Sequence, residues 1–324
     1  MSEGNHSVVT EFFLTGFPGL SPEYEGIASA VMFFVYFFTV TGNATIIFLF
    51  ATDRSLHKPI YYIILNLCVC DMLFSTTALP KAISIYWFQS ETISFTGCFV
   101  QMYFVHYFGT VNSYILFLMA LDRYLAICYP LRYPAILKNS TIHILSISAW
   151  LFAKIGPVVI VIRAYPLPYC ASNVIHHCFC DHYSITTLTC TDRTPYAILA
   201  FGMAMVTLLV PLGFIIFSYS SIMITVLKIA DLEGRRKSLS TCTPQLMVIS
   251  LYYLPRCVVY FATTVGIELR RDIAVVIITV YSLCPPMINP IIYCLRAKDM
   301  KESFWKKFHR RTASRKAQIS SVSH

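Results

Sequence analysis

The order of apolar and polar residues divides the chain into seven long apolar segments separated by short polar ones. The hydrocarbon core of a bilayer is about 30 Å thick, and a helix crosses it with roughly 20 mostly apolar residues. The segments run from Gly26 to Thr52, Pro59 to Leu79, Cys98 to Tyr129, Ile142 to Ile162, Tyr196 to Leu227, Leu239 to Val265 and Ile273 to Leu295. This pattern predicts an all-α membrane protein, a single bundle of seven transmembrane helices.

The segments outside the bundle are short. Residues 1–25 form the predicted extracellular N-terminus, residues 26–295 the helix bundle and residues 296–324 the cytoplasmic tail. In the tail, Lys298 to His309 has Met300, Phe304 and Phe308 four residues apart, with Trp305 beside them. That spacing predicts a short helix lying in the membrane interface after helix seven.

Composition and charge agree with a membrane protein of fixed orientation. The 324 residues are 56% hydrophobic and 13% charged, and the net charge is +9. Basic residues concentrate on one side of the bundle, which places the N-terminus outside and the C-terminus inside. They lie at Arg54, Lys58, Arg132, Lys138, Lys228, Arg235, Arg236, Lys237 and in the tail from Arg296 to Lys316. Such residues at helix ends favour contact with anionic lipid, and no feature indicates nucleic-acid binding.

Two chemical features follow from this orientation. Asn5 begins a glycosylation sequon on the outer side, so it is the asparagine expected to carry sugar. Five cysteines also fall outside, where oxidation is permitted, and they allow two disulfides with one thiol left over. They are Cys98, Cys170, Cys178, Cys180 and Cys190. The residues alone leave the pairing open.

Polar side chains at membrane depth are costly and are commonly functional. Asp71 lies in the middle of helix two, and Asn43, Asn112 and Asn289 lie in helices one, three and seven. We expect these four side chains to form an inward network, which either holds water or a sodium ion at Asp71 or serves only as structural hydrogen bonding. Pro290 removes a helical hydrogen bond in helix seven and permits a kink there.

Seven motifs occur in order, one per helix, and together they resemble a rhodopsin-like (class A) G-protein-coupled receptor. More narrowly, the chain resembles an odorant receptor over nearly its whole length. The motifs are Gly42-Asn43, "KPIYYIILNLCVCD" ending at Asp71, "MALDRYLAIC" at Met119 to Cys128, Trp150, Ser218-Tyr219, "KSLSTC" at Lys237 to Cys242 and "PMINPIIYCLR" at Pro286 to Arg296. "GFPGL" and "CDH", at Gly16 to Leu20 and Cys180 to His182, resemble the class I branch tuned to water-soluble odorants.

The resemblance implies a function and a set of working residues. The receptor would bind a small odorant, activate the olfactory-type stimulatory heterotrimeric G protein and raise cyclic AMP at the plasma membrane of olfactory sensory neurons, with arrestin and receptor kinases as further partners. Asp122 would hold Arg123 until activation frees it to meet the G protein. The coupling residues are Asp122, Arg123, Tyr124, Tyr219, Asn289, Pro290 and Tyr293. The departures in "KSLSTC" and the following "TPQL" leave the helix-six contact with the G protein open.

The resemblance also implies the disulfides and the ligand pocket. The disulfides would join Cys98 to Cys180 and Cys170 to Cys190, so Cys178 would be the leftover thiol. The pocket would lie in the outer half of helices three, five and six beneath the long outer loop. Its candidate residues are His106, Tyr103, Phe104, Tyr107, Thr110, His182, Tyr183, Tyr253, Arg256, Cys257 and Tyr260.

Arg256 is the most informative of these candidates because an unpaired guanidinium in an apolar run is expensive. Our hypothesis is that Arg256, with His106 or His182, recognises a carboxylate or another anionic group. Two alternatives stay open, in which Arg256 extends to the outer interface or pairs with Glu268. Lys154, in helix four, is expected to have a structural role rather than to line the pocket.

The outer loop also contains "HHCFCDH", residues 176 to 182, which has metal-ligand chemistry. With Cys180 in a disulfide, Cys178, His176, His177 and His182 remain as ligands for Cu or Zn, although His-rich loops are more often simply polar. No resident cofactor is otherwise expected.

Other classes of protein lack their signatures in this sequence. A transporter is expected to show inverted repeats, and an intramembrane hydrolase would need motifs such as HExxH or GxSxG, none of which is present. We therefore expect no enzyme. A retinal pigment needs a lysine in helix seven, which Ile273 to Leu295 lacks. A class A receptor for another small ligand remains the main alternative.

Overall fold

The structure, a computed structural model, describes residues 9–170, 172–264 and 270–307. Long helices dominate this described part and form the expected bundle. They are α1 (Pro22–Thr52), α2 (Pro59–Trp87), α3 (Phe95–Cys128), α5 (Asn139–Phe152) followed by α6 (Ile155–Ala164), α8 (Thr194–Leu227), α9 (Leu232–Thr264) and α10 (Arg271–Arg296), with the short helices α4 (Tyr133–Ile136) and α7 (His182–Thr186) in loops. The predicted glycosylation site Asn5 lies outside the described residues.

The described helices have the length and apolar character of membrane spans. Six spans are long and apolar enough to cross a bilayer, counting α5 and α6 together. The seventh predicted segment lies within α9, a helix of 33 residues that also contains Arg256 and a polar, basic first third. At 1.5 Å per residue, α9 is about 50 Å long, which exceeds the roughly 30 Å core of a bilayer.

The fourth span is broken, whereas the apolar pattern predicted one continuous helix from Ile142 to Ile162. Helix α5 ends at Phe152 and α6 begins at Ile155. Pro157 explains the break, because it has no N–H to donate to the carbonyl of Ala153 and its ring crowds that carbonyl. The break leaves Lys154 exposed on the outside of the bundle, which is how a structural rather than a pocket-lining residue would be placed.

Helix α3 occupies the centre of the bundle and α8 its edge. In the most apolar window of each helix, 61% of the α3 residues are buried against 17% of the α8 residues. The exposed apolar residues of α8 face the region that lipid would fill, where burial against protein is not required. Residues on α3 are therefore in a position to connect the outer and inner ends of the bundle.

A three-stranded sheet covers part of the outer end, which the apolar pattern did not predict. Strand β1 (Glu11–Leu14) lies between β2 (Thr92–Ser94), to which it runs antiparallel, and β3 (Val174–Ile175), to which it runs parallel. Phe12 and Leu14 are fully buried. The ring of Phe12 lies 5.6 Å from that of Phe95 and 5.8 Å from that of Tyr169. The N-terminal segment is thus packed onto α3 and the outer loops.

A tight turn follows β1 and fixes the approach to α1. Gly16 has a φ of +70°, and a Cβ atom there would lie 2.0 Å from the hydroxyl of Tyr86. Only glycine fits both conditions, since L-residues disfavour positive φ and the tyrosine occupies the space. The backbone N–H of Phe17 donates to that hydroxyl at 2.5 Å, so the turn is attached to the end of α2.

After α10, residues 298–307 are helical, and the remainder of the predicted tail helix lies outside the described residues. Met300 is fully buried, Phe304 is half-buried and Trp305 is 45% exposed. Asp299 forms an ion pair with Lys58 at the start of α2. The segment therefore packs against the bundle with one apolar side, as an interfacial helix does.

Candidate functional site

The long outer loop is attached to the bundle at several points. Disulfides join Cys98 to Cys180 and Cys170 to Cys190, the pairing that the resemblance implied. The N–H of Cys180 also donates to Oε1 of Gln101 at 2.9 Å, and Nε2 of Gln101 donates to the carbonyl of Thr77 at 2.9 Å. A side chain of α3 thereby connects the loop to α2, which places the loop over the mouth of the bundle.

A narrow cavity lies below this loop, between α2, α3, α9 and α10. It extends from Arg256, in the outer half of α9, to Asp71 in the middle of α2. The lining residues are Leu67, Asp71, Phe74, Gly109, Asn112, Leu116, Val248, Tyr252, Arg256, Tyr281, Ser282, Pro285, Pro286 and Asn289. The free space is close to that of one water molecule, so a larger ligand has to displace side chains to enter.

Arg256 is enclosed by aromatic rings at the outer part of the cavity. Its guanidinium carbon lies 3.8 Å from the ring centroid of Tyr252 and 4.7 Å from that of Tyr281. Its Nη1 donates to the carbonyl of Tyr252 at 2.7 Å. The guanidinium thus faces the cavity and not the outer interface. Glu268, the other partner considered above, lies outside the described residues.

Two adjacent tyrosines attach α9 to α3 directly below Arg256. The hydroxyl of Tyr252 donates to the carbonyl of Gly109 at 2.6 Å. The hydroxyl of Tyr253 lies 2.7 Å from Oγ of Ser113, which in turn donates to the carbonyl of Thr207 on α8 at 2.8 Å. Tyr253 was expected to contact ligand, yet its hydroxyl is engaged by Ser113. The sequence reasoning missed Tyr252, although a Tyr-Tyr pair before Pro255 in an apolar helix was a visible signal.

Three aromatic candidates on α3 lie away from this cavity. Phe104 is 38% exposed on the outside of the bundle. Tyr107 donates its hydroxyl to the carbonyl of Trp150 at 3.0 Å and stacks on Tyr103 with ring centroids 5.7 Å apart. Tyr107 thereby fills the contact between α3 and the fourth span, where its ring centroid lies 6.0 Å from that of Trp150.

His106 and His182 are neighbours, and neither is among the residues that line the cavity. Nε2 of His106 is buried and has no hydrogen-bond partner among the described residues. The hydroxyl of Thr110 donates to the carbonyl of His106 at 2.9 Å. In the outer loop, burial and, to a lesser extent, the neighbouring His106 lower the pKa of His182 to about 4. His182 is therefore neutral at physiological pH.

The remaining candidates do not converge on the cavity. Tyr183 is 65% exposed, and the guanidinium carbon of Arg193 lies 5.1 Å from its ring centroid. Cys257 is half-buried on α9. The side chain of Tyr260 lies outside the described residues. Of the predicted ligand residues whose side chains are described, Arg256 is thus the one that lines the cavity.

Asp71 lies at the inner part of the cavity and accepts hydrogen bonds on both carboxylate oxygens. Nδ2 of Asn112 donates to Oδ1 at 3.2 Å, and Nδ2 of Asn289 donates to Oδ2 at 2.8 Å. Asn43, expected in the same network, instead donates to the carbonyls of Thr39 at 2.8 Å and Pro286 at 2.9 Å. Asn43 thereby supplies a donor to a backbone carbonyl in the part of α10 where prolines lack N–H groups.

The Asp122–Arg123 pair lies at the inner end of α3. Nε and Nη2 of Arg123 lie 2.9 and 2.5 Å from Oδ2 of Asp122, which is fully buried. The hydroxyl of Tyr133, on α4, donates to Oδ1 of Asp122 at 2.8 Å. Burial, followed by the charge of Asp122, raises the pKa of Tyr133, so this phenol stays protonated and remains a donor. The sequence reasoning missed Tyr133, which only the folded loop brings to Asp122.

Two of the other predicted coupling residues link neighbouring helices through their hydroxyl groups, and a third does not. Tyr219 donates to Oε1 of Gln245 at 3.3 Å, and Tyr293 donates to the sulfur of Met119 at 3.7 Å. Both link neighbouring helices below the cavity. Tyr124 lies to the side, with its hydroxyl 3.5 Å from that of Tyr129.

Pro290 contacts α1 at Gly42, where an added Cβ would lie 3.0 Å from the Cβ of the proline. A glycine in the "GN" motif therefore permits the close approach of α1 to the proline-containing part of α10. This contact gives a packing reason for both motifs.

The candidate metal ligands of the outer loop are not brought together. Within the described ranges, no group of three or more His, Cys, Asp and Glu side chains is placed to hold a metal ion. His176 is exposed, with Nδ1 3.2 Å from Oγ1 of Thr15, whereas His177 is buried. Burial raises the pKa of the Cys178 thiol to about 12, so it is not a thiolate at neutral pH.

The fold, the covered cavity and the inner Asp-Arg pair define the protein as a seven-helix membrane receptor of the rhodopsin-like class.

Comparison with known proteins gives the family. Residues 32–311 match the olfactory receptor family model. The chain is 37% identical to olfactory receptor 2AT4 of Homo sapiens, over 91% of this chain and 92% of the relative. It is 33% identical to human olfactory receptor 10A5, over 97% and 99%, and 34% identical to olfactory receptor 1f45 of Rattus norvegicus, over 94% and 97%. The chain belongs to the olfactory receptor family, whose members are multi-pass membrane receptors and not enzymes.

Proposed function

We propose that this receptor binds a small anionic odorant at Arg256 and in response activates a stimulatory heterotrimeric G protein, which raises cyclic AMP. The observation that supports the ligand class is the placement of Arg256, a permanent cation that lines the cavity between two tyrosine rings. In the described part of the chain no carboxylate forms an ion pair with it.

The positive charge of the Arg256 guanidinium is only partly compensated by its neighbours. Its contacts with aromatic faces contribute about 0.5 to 2 kcal/mol each. A carboxylate can accept two parallel hydrogen bonds from the guanidinium and also neutralise its charge, which rings and a backbone carbonyl do not do. A small acid is therefore the ligand that satisfies Arg256 best, and its apolar part would extend toward Phe74 and Leu116 in the cavity lining.

The same residues support a route from ligand to G protein. Because Tyr252 both stacks on Arg256 and donates to Gly109, an acid that shifts the guanidinium disturbs the attachment of α9 to α3. Release of Tyr252 would let α9 move outward at its inner end. The Asp122–Arg123–Tyr133 group then loses its packing and frees Arg123 for the G protein.

The test uses cells that express the full receptor with a cyclic-AMP reporter, and a panel of carboxylic acids with their methyl esters, alcohols and amines. We expect responses to acids but not to the matched esters. Arg256→Ala should raise the half-maximal concentration for acids by about tenfold to a hundredfold, the loss expected when a charge-assisted hydrogen bond is removed. Arg256→Lys, which keeps the charge but not the planar fork, should lie between.

The matched control is Lys154→Ala, which removes a cation that is exposed on the outside of the bundle. It should leave the acid response unchanged at equal surface expression. An Arg256→Ala receptor that keeps the full response to acids would overturn the ligand class. A calcium response without cyclic AMP would overturn the stimulatory G protein but not the ligand.

We also propose that the protein lies in the plasma membrane of olfactory sensory neurons with its N-terminus outside. Both disulfides lie at the end of the bundle that carries the sheet, which supports an extracellular position for that end. Glycosylation of Asn5, contact of the basic inner surface with anionic lipid, and recruitment of arrestin and receptor kinases belong to the same proposal.

Sodium binding at Asp71 is a separate part of the proposal. Asn112 and Asn289 present their NH2 groups to the carboxylate, whereas a sodium ion needs oxygen ligands, so an ion would have to displace or reorient these amides. Thermal melting of the purified receptor in sodium chloride and in choline chloride tests this. A sodium-specific rise in melting temperature that Asp71→Asn abolishes would support the ion, and equal melting in both salts would exclude it.

A further inference from the structure

The inner start of α9 has three consecutive basic residues directly before a serine. Arg235, Arg236 and Lys237 precede Ser238. The proposed ligand site and coupling residues make no use of this run. Protein kinases with acidic substrate grooves select serines that have arginines two and three residues before them, because each arginine forms charge-assisted hydrogen bonds with groove carboxylates. Arg235 and Arg236 occupy these two positions relative to Ser238.

This part of α9 extends beyond the packed bundle. Every residue from Asp231 to Thr241 is described, and none of them is buried; Cys242 is the first buried residue of the helix. A kinase has to bind its substrate in an extended form, so the helix must open locally. Opening costs little where no apolar side chain is removed from a core, and Ser238 is therefore accessible to such an enzyme.

The position of Ser238 on the helix gives a phosphate two specific neighbours. Residues three and four apart share a helix face, so Ser238 lies beside Arg235 on one side and Cys242 on the other. Nε of Arg235 donates to the carbonyl of Ile229 at 2.6 Å and thereby holds the turn between α8 and α9. Cys242 is 1% exposed and packs with Ile222 and Val226 of α8 in an apolar cluster that also contacts Cys128, the last residue of α3.

We propose that Ser238 is a phosphorylation site for an arginine-directed protein kinase and that its phosphate loosens the α8–α9 turn. Oγ of Ser238 forms a bond to the γ-phosphorus of ATP, the bond from that phosphorus to the ADP oxygen breaks, and the hydroxyl proton passes to the kinase. The product has close to two negative charges at neutral pH. This dianion attracts Arg235 away from the Ile229 carbonyl, and it lies one helical turn from Cys242, which packs against the inner ends of α8 and α3. The site is independent of the proposed odorant.

The first experiment treats the full-length receptor in lipid nanodiscs with ATP and the catalytic subunit of the cyclic-AMP-dependent kinase, and maps phosphate by peptide mass spectrometry. We expect Ser238 to be the main site. Arg236→Ala, which removes an exposed arginine, should slow its modification by about tenfold. Ser240→Ala is the matched control, because Ser240 is exposed in the same segment but has no arginine two or three residues before it; this variant should be modified like the unaltered receptor. An unlabelled Ser238, or equal labelling of Ser238→Ala, would overturn the proposal.

The second experiment measures amide hydrogen exchange over residues 226–236 without any odorant. Exchange should become faster by about fivefold on phosphorylation, as expected when a hydrogen bond worth about 1 kcal/mol is lost. The kinase-treated Ser238→Ala receptor should show no change. Phosphorylation of Ser238 with unchanged exchange would retain the site and overturn the role of Arg235.

Discussion

The outer and inner ends of the bundle are held by different kinds of interaction. At the outer end two disulfides, a three-stranded sheet and the buried side chains of Phe12 and Leu14 join the N-terminus and the loops to α3. At the inner end, α3 is held to the following loop by the hydrogen bonds and ion pair of Asp122, Arg123 and Tyr133, and Asp299 forms a further ion pair with Lys58. The first ten residues of α9, 232 to 241, add no buried side chain there.

In the proposed function, this difference separates the end of the bundle that binds the ligand from the end that responds to it. Covalent bonds and buried apolar side chains do not exchange partners, so the outer end keeps its shape while a ligand enters. A hydrogen bond contributes a net of only about 1 kcal/mol, and a ligand's binding energy is sufficient to exchange several of them. The inner end can therefore adopt a second arrangement at a cost that binding can offset.

The largest expected effect comes from opening the outer disulfides. The Cys98–Cys180 bond closes 82 residues and the Cys170–Cys190 bond closes 20. Replacing Cys98 and Cys180 by serine should cost about 4 kcal/mol and abolish surface expression, and the corresponding change at Cys170 and Cys190 should cost about 1 kcal/mol less. Surface staining and thermal melting check the order, which would be contradicted if the shorter loop proved the more important.

The turn after β1 gives a sharper test of the outer end. Gly16 and Gly19 both have positive φ, at +70° and +77°, but only Gly16 has a neighbour, Tyr86, within 4 Å of an added Cβ. Gly19→Ala should cost about 1 kcal/mol through backbone strain alone. Gly16→Ala should cost about 2 to 3 kcal/mol, since it also breaks the hydrogen bond of Phe17 to Tyr86. Equal melting temperatures for the two variants would show that the turn is not attached to α2.

Acid should weaken the outer end through His182. Burial lowers the pKa of this residue to about 4 in the folded protein, against about 6.5 in an unfolded chain. The unfolded state therefore binds the proton first, so stability is complete above pH 6.5 and declines as the pH falls toward 4, by an amount on the order of 1 to 3 kcal/mol. Melting temperatures from pH 7.5 to 4.5 should show this decline, and His182→Gln should reduce it, while His177, whose pKa burial also lowers, retains its share. His176→Gln, at an exposed histidine of the same loop, is the control and should leave the slope unchanged.

The smallest effect is expected at the inner end, where Tyr133→Phe removes one hydrogen bond to Asp122. The change should cost the resting arrangement about 1 kcal/mol, which corresponds to about a fivefold rise in the ratio of active to resting receptor. Basal cyclic AMP at matched surface expression measures it. Tyr129→Phe serves as the control, because Tyr129 is 44% exposed and its hydroxyl lies 3.5 Å from that of Tyr124. Unchanged basal activity in Tyr133→Phe would remove this tyrosine from the switch.

Some parts of the candidate site could be predicted from the sequence and others could not. The seven apolar segments, Asp71 and the Asp122–Arg123 pair were visible because each is set by local sequence, by a run of apolar residues or by a charge within one. The partners of these residues were not visible. Tyr133 contacts Asp122 across a loop, and Tyr252 contacts Arg256 and Gly109 through its particular rotamer. Asn43 was placed with Asp71 on depth alone, whereas its amide faces Thr39 and Pro286.

The sequence by itself determined the membrane class, the number of helices and, through motifs, the resemblance to odorant receptors, and it predicts the orientation of the bundle. These depend on the transfer of apolar segments into lipid and on basic residues remaining in the cytoplasm, and both are properties of composition along the chain. The tertiary structure alone decided that β1 joins the outer sheet, that Pro157 breaks the fourth span while the prolines of α9 and α10 do not break theirs, and that Arg256 faces a cavity leading to Asp71. Such features depend on which side chains meet across helices, and hydrophobic periodicity within one helix does not specify its neighbours.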